Sequence, residues 1–369
     1  MTVPVGVGVL GAGGWSLVAH LPAFAREPRA RLVAICDVDA DRARAAAAAF
    51  DIPRVYDDPR DLLDDPGVRI VDVCTTTDTH ESMARLAIES GRHVLSEKPV
   101  AADAAATERL ANLAREAGVR HKVMYTFRYA PAIRHLLELI DTGALGTVFH
   151  VHGFEQNPQF LDPETPLRQV PDDEPAGRLR PSSVIEYGSH LLNLMRACGG
   201  EISAVASSMA NFLPERRLRG IDGIAAARIE DATVGLVRFA NGAHGMLQTS
   251  HVSIGPSPGV ELRVYGSRAS AVARVAVGAG RSETLHLATP DQPEWAPVHL
   301  DHVEFPRADA PAARPSQRYV ANLVGRFLDE IVAAAEPECD FFDAARTQRV
   351  LDALVTAHHE GRWVELGSP

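Results

Sequence analysis

Four groups of residues in the 369-residue chain have types and spacings that suit chemistry. Gly11-Ala12-Gly13-Gly14-Trp15-Ser16 has the form GxGxxG, with Ser in the last place. Between a strand and a helix, the first glycine permits a tight turn and the second lets backbone approach a pyrophosphate. The helix N-terminus then offers free N–H groups and positive dipole to the phosphates. Such a turn alone is also plain structural punctuation, and Asp37, 26 residues beyond Gly11, adds the weight. A carboxylate ending the second strand accepts hydrogen bonds from an adenosine ribose and repels a 2′-phosphate. NAD is therefore the expected cofactor, with NADP as the alternative because Arg42 follows closely. Thr75, Thr76, Thr77 and His80 leave the third strand at the carboxyl end of the sheet, where ligands collect. The same threonines also suit helix capping.

Glu97-Lys98-Pro99 ends the fourth strand. A lysine beside a bound cofactor can carry a proton to or from a hydroxyl as hydride leaves the same carbon; an exposed loop lysine is the bland reading. Glu186 and His190 stand four residues apart, on one face of a helix, so the carboxylate can orient the imidazole as an acid–base pair. Two such ligands without a third do not make a metal site, and no metal is expected.

The elements that must position these groups alternate through the first third. Strands are expected at 3–10, 31–36, 68–74, 93–96 and 120–125, and helices at 16–25, 39–50, 80–90 and 104–117. That alternation implies βαβ units and a parallel sheet, an α/β fold. After a helix at 133–142 and a strand at 147–154, prolines interrupt 156–182. The arginines of that stretch, Arg168, Arg178 and Arg180, either border the substrate or are solvated surface charges. A helix at 183–198 precedes strands at 204–212, 232–240, 243–251, 260–266, 271–277 and 284–288, with Asn241-Gly242 as a hairpin turn. Consecutive strands on tight turns imply an antiparallel sheet in a second, α+β domain, closed by helices at 319–335 and 343–360. The expected division is a nucleotide-binding domain, 1–127, and a substrate-binding and oligomerisation domain, 128–369, with helix 343–360 packing back towards the first.

Composition sets the outer bounds. Hydrophobic residues make up 46% and charged residues 23%, which is globular rather than disordered. A net charge of −11 without basic runs argues against nucleic acid as a partner. Four scattered cysteines form no CxxC pair, and Cys36 and Cys74 sit in apolar runs as buried thiols. No apolar stretch spans a membrane and the first residues do not resemble a signal peptide, so a cytoplasmic protein is expected.

Together the four groups resemble the Gfo/Idh/MocA oxidoreductases over nearly the whole chain. Gly11–Ser16 with His20-Leu21-Pro22-Ala23 resembles the family's nucleotide turn, and Asp37 its ribose-binding acid. Residues 75–80 resemble its TPxxxH segment and Glu97-Lys98-Pro99 its EKP signature. Residues 125–131 resemble its segment around Arg-x-x-Pro, 186–190 its DxGxH segment, and 343–366 its closing helix. The resemblance implies a Rossmann domain followed by a large open sheet whose free face makes homodimers or homotetramers. It implies hydride transfer between NAD(P) and a secondary hydroxyl or ketone of a sugar or cyclitol. Lys98, Glu186 and His190 fall on catalytic positions, while Arg128, Tyr125 and Asn193 fall near the substrate. Gly11, Gly13, Gly14, Trp15, Ser16, Glu97 and Lys98 fall along the cofactor with the groups above. In that scheme His190 takes the hydroxyl proton, oriented by Glu186, and Lys98 hydrogen-bonds the same oxygen; which of the two is the formal base stays open. Transient oxidation with retained NAD, and a non-catalytic sensor of NAD or sugar, are the rival readings. Three positions depart from the family pattern: Thr76 for Pro, Asn193 for Asp, and Glu186 for Asp. The last adds a methylene, and a shift of about 1 Å is worth about 100-fold in rate, so it bears on which substrate is accepted.

Overall fold

The apolar runs of the first third become six parallel strands: β1 (Val5–Leu10), β2 (Ala30–Cys36), β3 (Arg54–Tyr56), β4 (Ile70–Val73), β5 (His93–Ser96) and β6 (His121–Val123). The computed structural model describes residues 3–167, 178–254, 259–276, 283–300 and 315–367. Strand order is β3-β2-β1-β4-β5-β6, every pair parallel. Direction of winding reverses between β1 and β4, which opens a crevice at their carboxyl ends. Gly11 sits there with φ +102°, and a Cβ on it would lie 2.3 Å from the Cys74 carbonyl oxygen. Only glycine tolerates that approach.

The expected strands and helices of this part are present, with two elements added. β3 and the helix Pro59–Asp64 carry no periodic signal, being three and six residues long. The helix expected at 16–25 begins with a π turn, Ser16–His20, and continues as Leu21–Arg26. Pro22 has no N–H for the Val18 carbonyl, and that oxygen accepts instead from Gln317 Nε2 at 2.6 Å.

The second part contributes β7 (Val148–Gln156), β8 (Ile202–Ala210), β9 (Glu215–Arg217), β10 (Ile224–Ala226), β11 (Ala232–Phe239), β12 (His244–Ser250), β13 (Gly259–Gly266), β14 (Ser270–Ala276), β15 (Thr284–Thr289), β16 (Gln292–Val298) and β17 (Val364–Glu365). Nine of these form one sheet in the order β16-β15-β14-β13-β7-β12-β11-β8-β17, while β9 and β10 pair separately. All its pairs are antiparallel except β7 with β12. The helix Gly188–Gly199 lies on one face, over Gly153, where a Cβ would meet Leu191 Cδ1 at 2.8 Å. On the other face β11 exposes Val234 and Leu236.

Two compact units result: Met1–Ala130 with Glu304–Gln348, and Pro131–Val303 with Arg349–Pro369. Each unit is therefore built from two separate stretches of the chain. The helix Pro315–Val332 joins the first unit, burying Val320, Leu323, Val324, Phe327 and Leu328 in the same core as β1 and β4. Lys122 on β6 is fully buried and pairs with Glu330 of that helix, Nζ to Oε1 at 2.6 Å. The expected helix 343–360 runs from Phe341 to Glu360 and is shared between the units.

Candidate active site

In the first unit the glycine turn leaves β1 and the chain enters a helix at once. Added Cβ atoms on Gly13 and Gly14 would meet nothing within 4 Å, so the backbone there faces open space of the kind a pyrophosphate occupies. Asp37, 8% exposed at the end of β2, binds back to this turn. Its Oδ2 accepts from the Ala12 amide at 2.7 Å and Arg42 Nε at 3.2 Å; Oδ1 accepts from the Asp39 amide at 2.8 Å and Arg42 Nη2 at 2.6 Å. Burial raises the Asp37 pKa, but the Arg42 bond and the two amides more than offset this and hold it below the ordinary range. Arg42 reaches Asp37 because Asp39 caps the helix Ala40–Ala49, accepting from the Asp41 and Arg42 amides.

Thr76 and Thr77 are exposed beyond β4, in a short 3-10 turn, Thr77–Thr79. Thr75 is held by Thr79, hydroxyl to hydroxyl at 2.8 Å. His80 is buried and ties two strand ends together: Nδ1 lies 2.8 Å from the Pro99 carbonyl and Nε2 3.3 Å from that of Thr75. Glu97, after β5, accepts from Trp15 Nε1 at 2.8 Å, and its Oε2 accepts from the Lys98 amide at 3.0 Å. One carboxylate thus joins the glycine turn to the lysine. The Lys98–Pro99 peptide is cis.

In the second unit the helix expected at 183–198 is two helices, Ser183–Glu186 and Gly188–Gly199, broken at Tyr187. The break is mild, since Tyr187 keeps helical angles and its carbonyl accepts from the Leu191 amide at 3.0 Å. Buried Glu230 caps the first of them: Oε2 accepts from the Ser182 amide at 2.8 Å and the Val184 amide at 3.1 Å. Burial pushes the Glu230 pKa up, and these bonds offset only part of the rise. Glu186 is exposed, with Oε2 3.9 Å from Nε2 of His251, a buried imidazole that also lies 3.1 Å from Ser182 Oγ. The longer arm of Glu therefore stands beside a second histidine that spacing alone did not single out. Asn193 and Tyr125 are buried, and His190 and Arg128 are half-buried.

Residues 5–125 match the oxidoreductase family with an NAD-binding Rossmann fold, and residues 133–272 match the GFO/IDH/MocA C-terminal domain. The chain belongs to the Gfo/Idh/MocA oxidoreductases. Levoglucosan dehydrogenase of Pseudarthrobacter phenanthrenivorans is 27% identical over 287 residues, 72% of each chain. D-apiose dehydrogenase of Paraburkholderia graminis is 26% identical over 95% of this chain and 86% of its own. Among solved structures, an oxidoreductase domain protein from Kribbella flavida superposes with a TM-score of 0.88 at 27% identity, covering 100% of both chains. The family is NAD-binding, and the open backbone at Gly13 and Gly14 with the Asp37 carboxylate fits that cofactor.

The structure brings Gly11, Trp15, Asp37, Glu97, Lys98, Thr75 and His80 into one network of turns in the first unit. Arg168 lies outside the described residues; Arg180 lies in a backbone bridge, its amide donating to the Arg228 carbonyl at 2.8 Å. Sequence reasoning missed Asp72, Glu230 and His251. An acid amid the apolar strand residues Ile70–Val73 is a readable signal for a buried pair. The other two carry none, because the Ser182, Ser183 and Val184 groups that meet Glu230, and the Ser182 and Glu186 groups beside His251, are remote in the chain. Among the described residues no helix is long and apolar enough to cross a membrane, and no cluster of three or more His, Cys, Asp or Glu could hold a metal ion.

Proposed function

We propose that this oxidoreductase oxidises a secondary hydroxyl of a sugar or cyclitol, or reduces the matching ketone. The observation that supports the reading is the Glu97 bridge, which ties the Lys98 backbone amide to the Trp15 indole of the nucleotide turn and so holds the chain at Lys98 next to that turn. Relatives named for levoglucosan and D-apiose support a carbohydrate substrate.

Gly11, Gly13, Gly14 and Ser16 receive the pyrophosphate, and Asp37 the adenosine ribose. Bound NAD supplies the hydride acceptor at its nicotinamide ring. Thr75, Thr76 and Thr77 border the cofactor from the end of β4, and His80 keeps that loop tied to Pro99. Lys98 hydrogen-bonds the reacting oxygen and stabilises its developing negative charge. Of the coupled pair Lys98 and His190, one takes up the hydroxyl proton, and Glu186 is the carboxylate that sets the His190 imidazole. Arg128, Tyr125 and Asn193 shape the substrate's surroundings. The exposed face of the nine-stranded sheet, with Val234 and Leu236, serves to join copies of this chain.

A panel of sugars and cyclitols with NAD tests the reading. Lys98→Ala is expected to lower kcat at least about 100-fold while NADH still binds. Full turnover in that variant refutes the assignment. Retained cofactor with no net NADH release indicates transient oxidation, and tight NADH binding without any turnover indicates a sensor.

A further inference from the structure

Beneath the glycine turn lie two buried charged side chains, His20 and Asp72, that the reaction scheme does not use. His20, on the helix that opens the nucleotide site, is fully buried, as is Asp72 on β4. Asp72 faces His20 Nδ1, its two oxygens 3.0 and 2.9 Å away. His20 Nε2 lies 3.1 Å from Glu97 Oε1, the same oxygen that accepts from the Trp15 indole. Glu97 Oε2 accepts from the Lys98 amide at 3.0 Å. An ionised carboxylate only accepts, so both imidazole nitrogens must carry hydrogen, which a neutral ring cannot provide. Burial alone lowers the His20 pKa, but Asp72, with a further contribution from Cys74, more than offsets it and holds the ring well above its ordinary value. Burial likewise raises that of Glu97, yet the His20 bond and charge, together with the Lys98 charge, bring it down to about 2. The remaining titratable neighbour is Cys74, whose thiol burial pushes up and keeps neutral.

We infer that His20 is a positioning residue for Lys98: as an imidazolium clamped between Asp72 and Glu97, it fixes the one carboxylate that anchors both the Trp15 indole and the Lys98 backbone. This rests on the reading of Lys98 as a proton-handling group. The clamp acts in two ways. It locks the Glu97 rotamer, and so the path of the chain into Lys98. It also supplies the cation that compensates the largely shielded carboxylate of Glu97, 14% exposed, beside the fully buried Asp72. Without it, the negative charge of Glu97 stands uncompensated beside the Lys98 ammonium and favours retention of its proton.

The test compares wild type with His20→Gln and Asp72→Asn, the second being a near-isosteric change that removes charge without opening a cavity. Three quantities are read: the pH profile of kcat/KM, the separate kcat and KM values, and the ring resonances of 15N-histidine-labelled holoenzyme at pH 8. In wild type one doubly protonated ring persists at that pH and is lost in His20→Gln. Both variants lower kcat, His20→Gln by about tenfold or more. The ascending limb moves up by about one pH unit, with KM for the sugar little changed. A His20→Gln enzyme that keeps wild-type kcat and limb, and only melts earlier, overturns the inference by showing a merely structural histidine. A neutral His20 ring at pH 8 overturns it as well. Should wild type turn over no sugar at all, the proposed function fails instead, and the histidine resonances alone decide whether the clamp exists.

Discussion

Replacing Asp37 by alanine tests how the chain chooses its cofactor. The carboxylate receives four donors, two from backbone and two from Arg42, and the ribose hydroxyls must share or displace the Arg42 pair. Arg42 is 45% exposed at its side chain, so solvent screens the ion pair and its displacement costs at most about 1 kcal/mol. Hydrogen bonds from a ribose to the carboxylate are worth about 1.5–3 kcal/mol. Asp37→Ala should therefore raise the NADH dissociation constant about 10- to 100-fold. The same change removes the charge that repels a 2′-phosphate and frees Arg42 to meet one, so NADPH should lose far less affinity or gain some. There is also a structural cost: the Ala12 amide, buried in the turn, loses its acceptor, worth about 1–3 kcal/mol of stability. Calorimetric titration of both cofactors into wild type, Asp37→Ala and Arg42→Ala separates the effects. Arg42→Ala should bind NADH as well as wild type or better, and NADPH worse. A folded Asp37→Ala protein whose NADH affinity stays within about twofold of wild type would refute the ribose role.

Two more predictions follow from the same geometry. Glu97 has its pKa depressed to about 2, so its contribution to stability is present above the unfolded value of about 4.3 and is lost as pH falls through the folded one. Acid unfolding should release roughly 3 kcal/mol across that window, counted once for the whole His20–Glu97 interaction, and Glu97→Gln should flatten the pH dependence measured by denaturant titration. On the open sheet face, Leu236→Asp places a charge at an exposed apolar position and should shift the mass seen by light scattering from oligomer to monomer. An unchanged mass would exclude that face as the interface.

Much of the first unit was legible because its signals are local. Strands β1, β2, β4 and β5 are apolar runs at the expected places, and helix caps such as Asp39 and Asp103 mark their own starts. β3 and β17 were not legible, since three and two residues hold no period and gain their identity from the neighbouring strand. The helix 183–198 was read as continuous because its composition is helical throughout. What the structure adds is a break at Tyr187 and, at the start, Glu230 gathering the Ser182 and Val184 amides, a contact spanning 48 residues in the first case. The i, i+4 pairing of Glu186 with His190 likewise could not announce His251, which arrives from the end of β12.

The order of residues by itself determined the glycine turn, the acid that ends β2, the lysine that follows β5 and the alternation that makes a parallel sheet. Each depends on neighbours a few positions away, where backbone geometry leaves little choice. Only the tertiary structure decided that the helix Pro315–Val332 completes the first unit, that Arg42 already holds Asp37, and that Asp72, His20 and Glu97 form one hydrogen-bonded line. The physical reason is desolvation. Whether a His or an Asp is a solvated surface group or a charge needing a partner depends on what the rest of the chain places around it, and no local pattern records that.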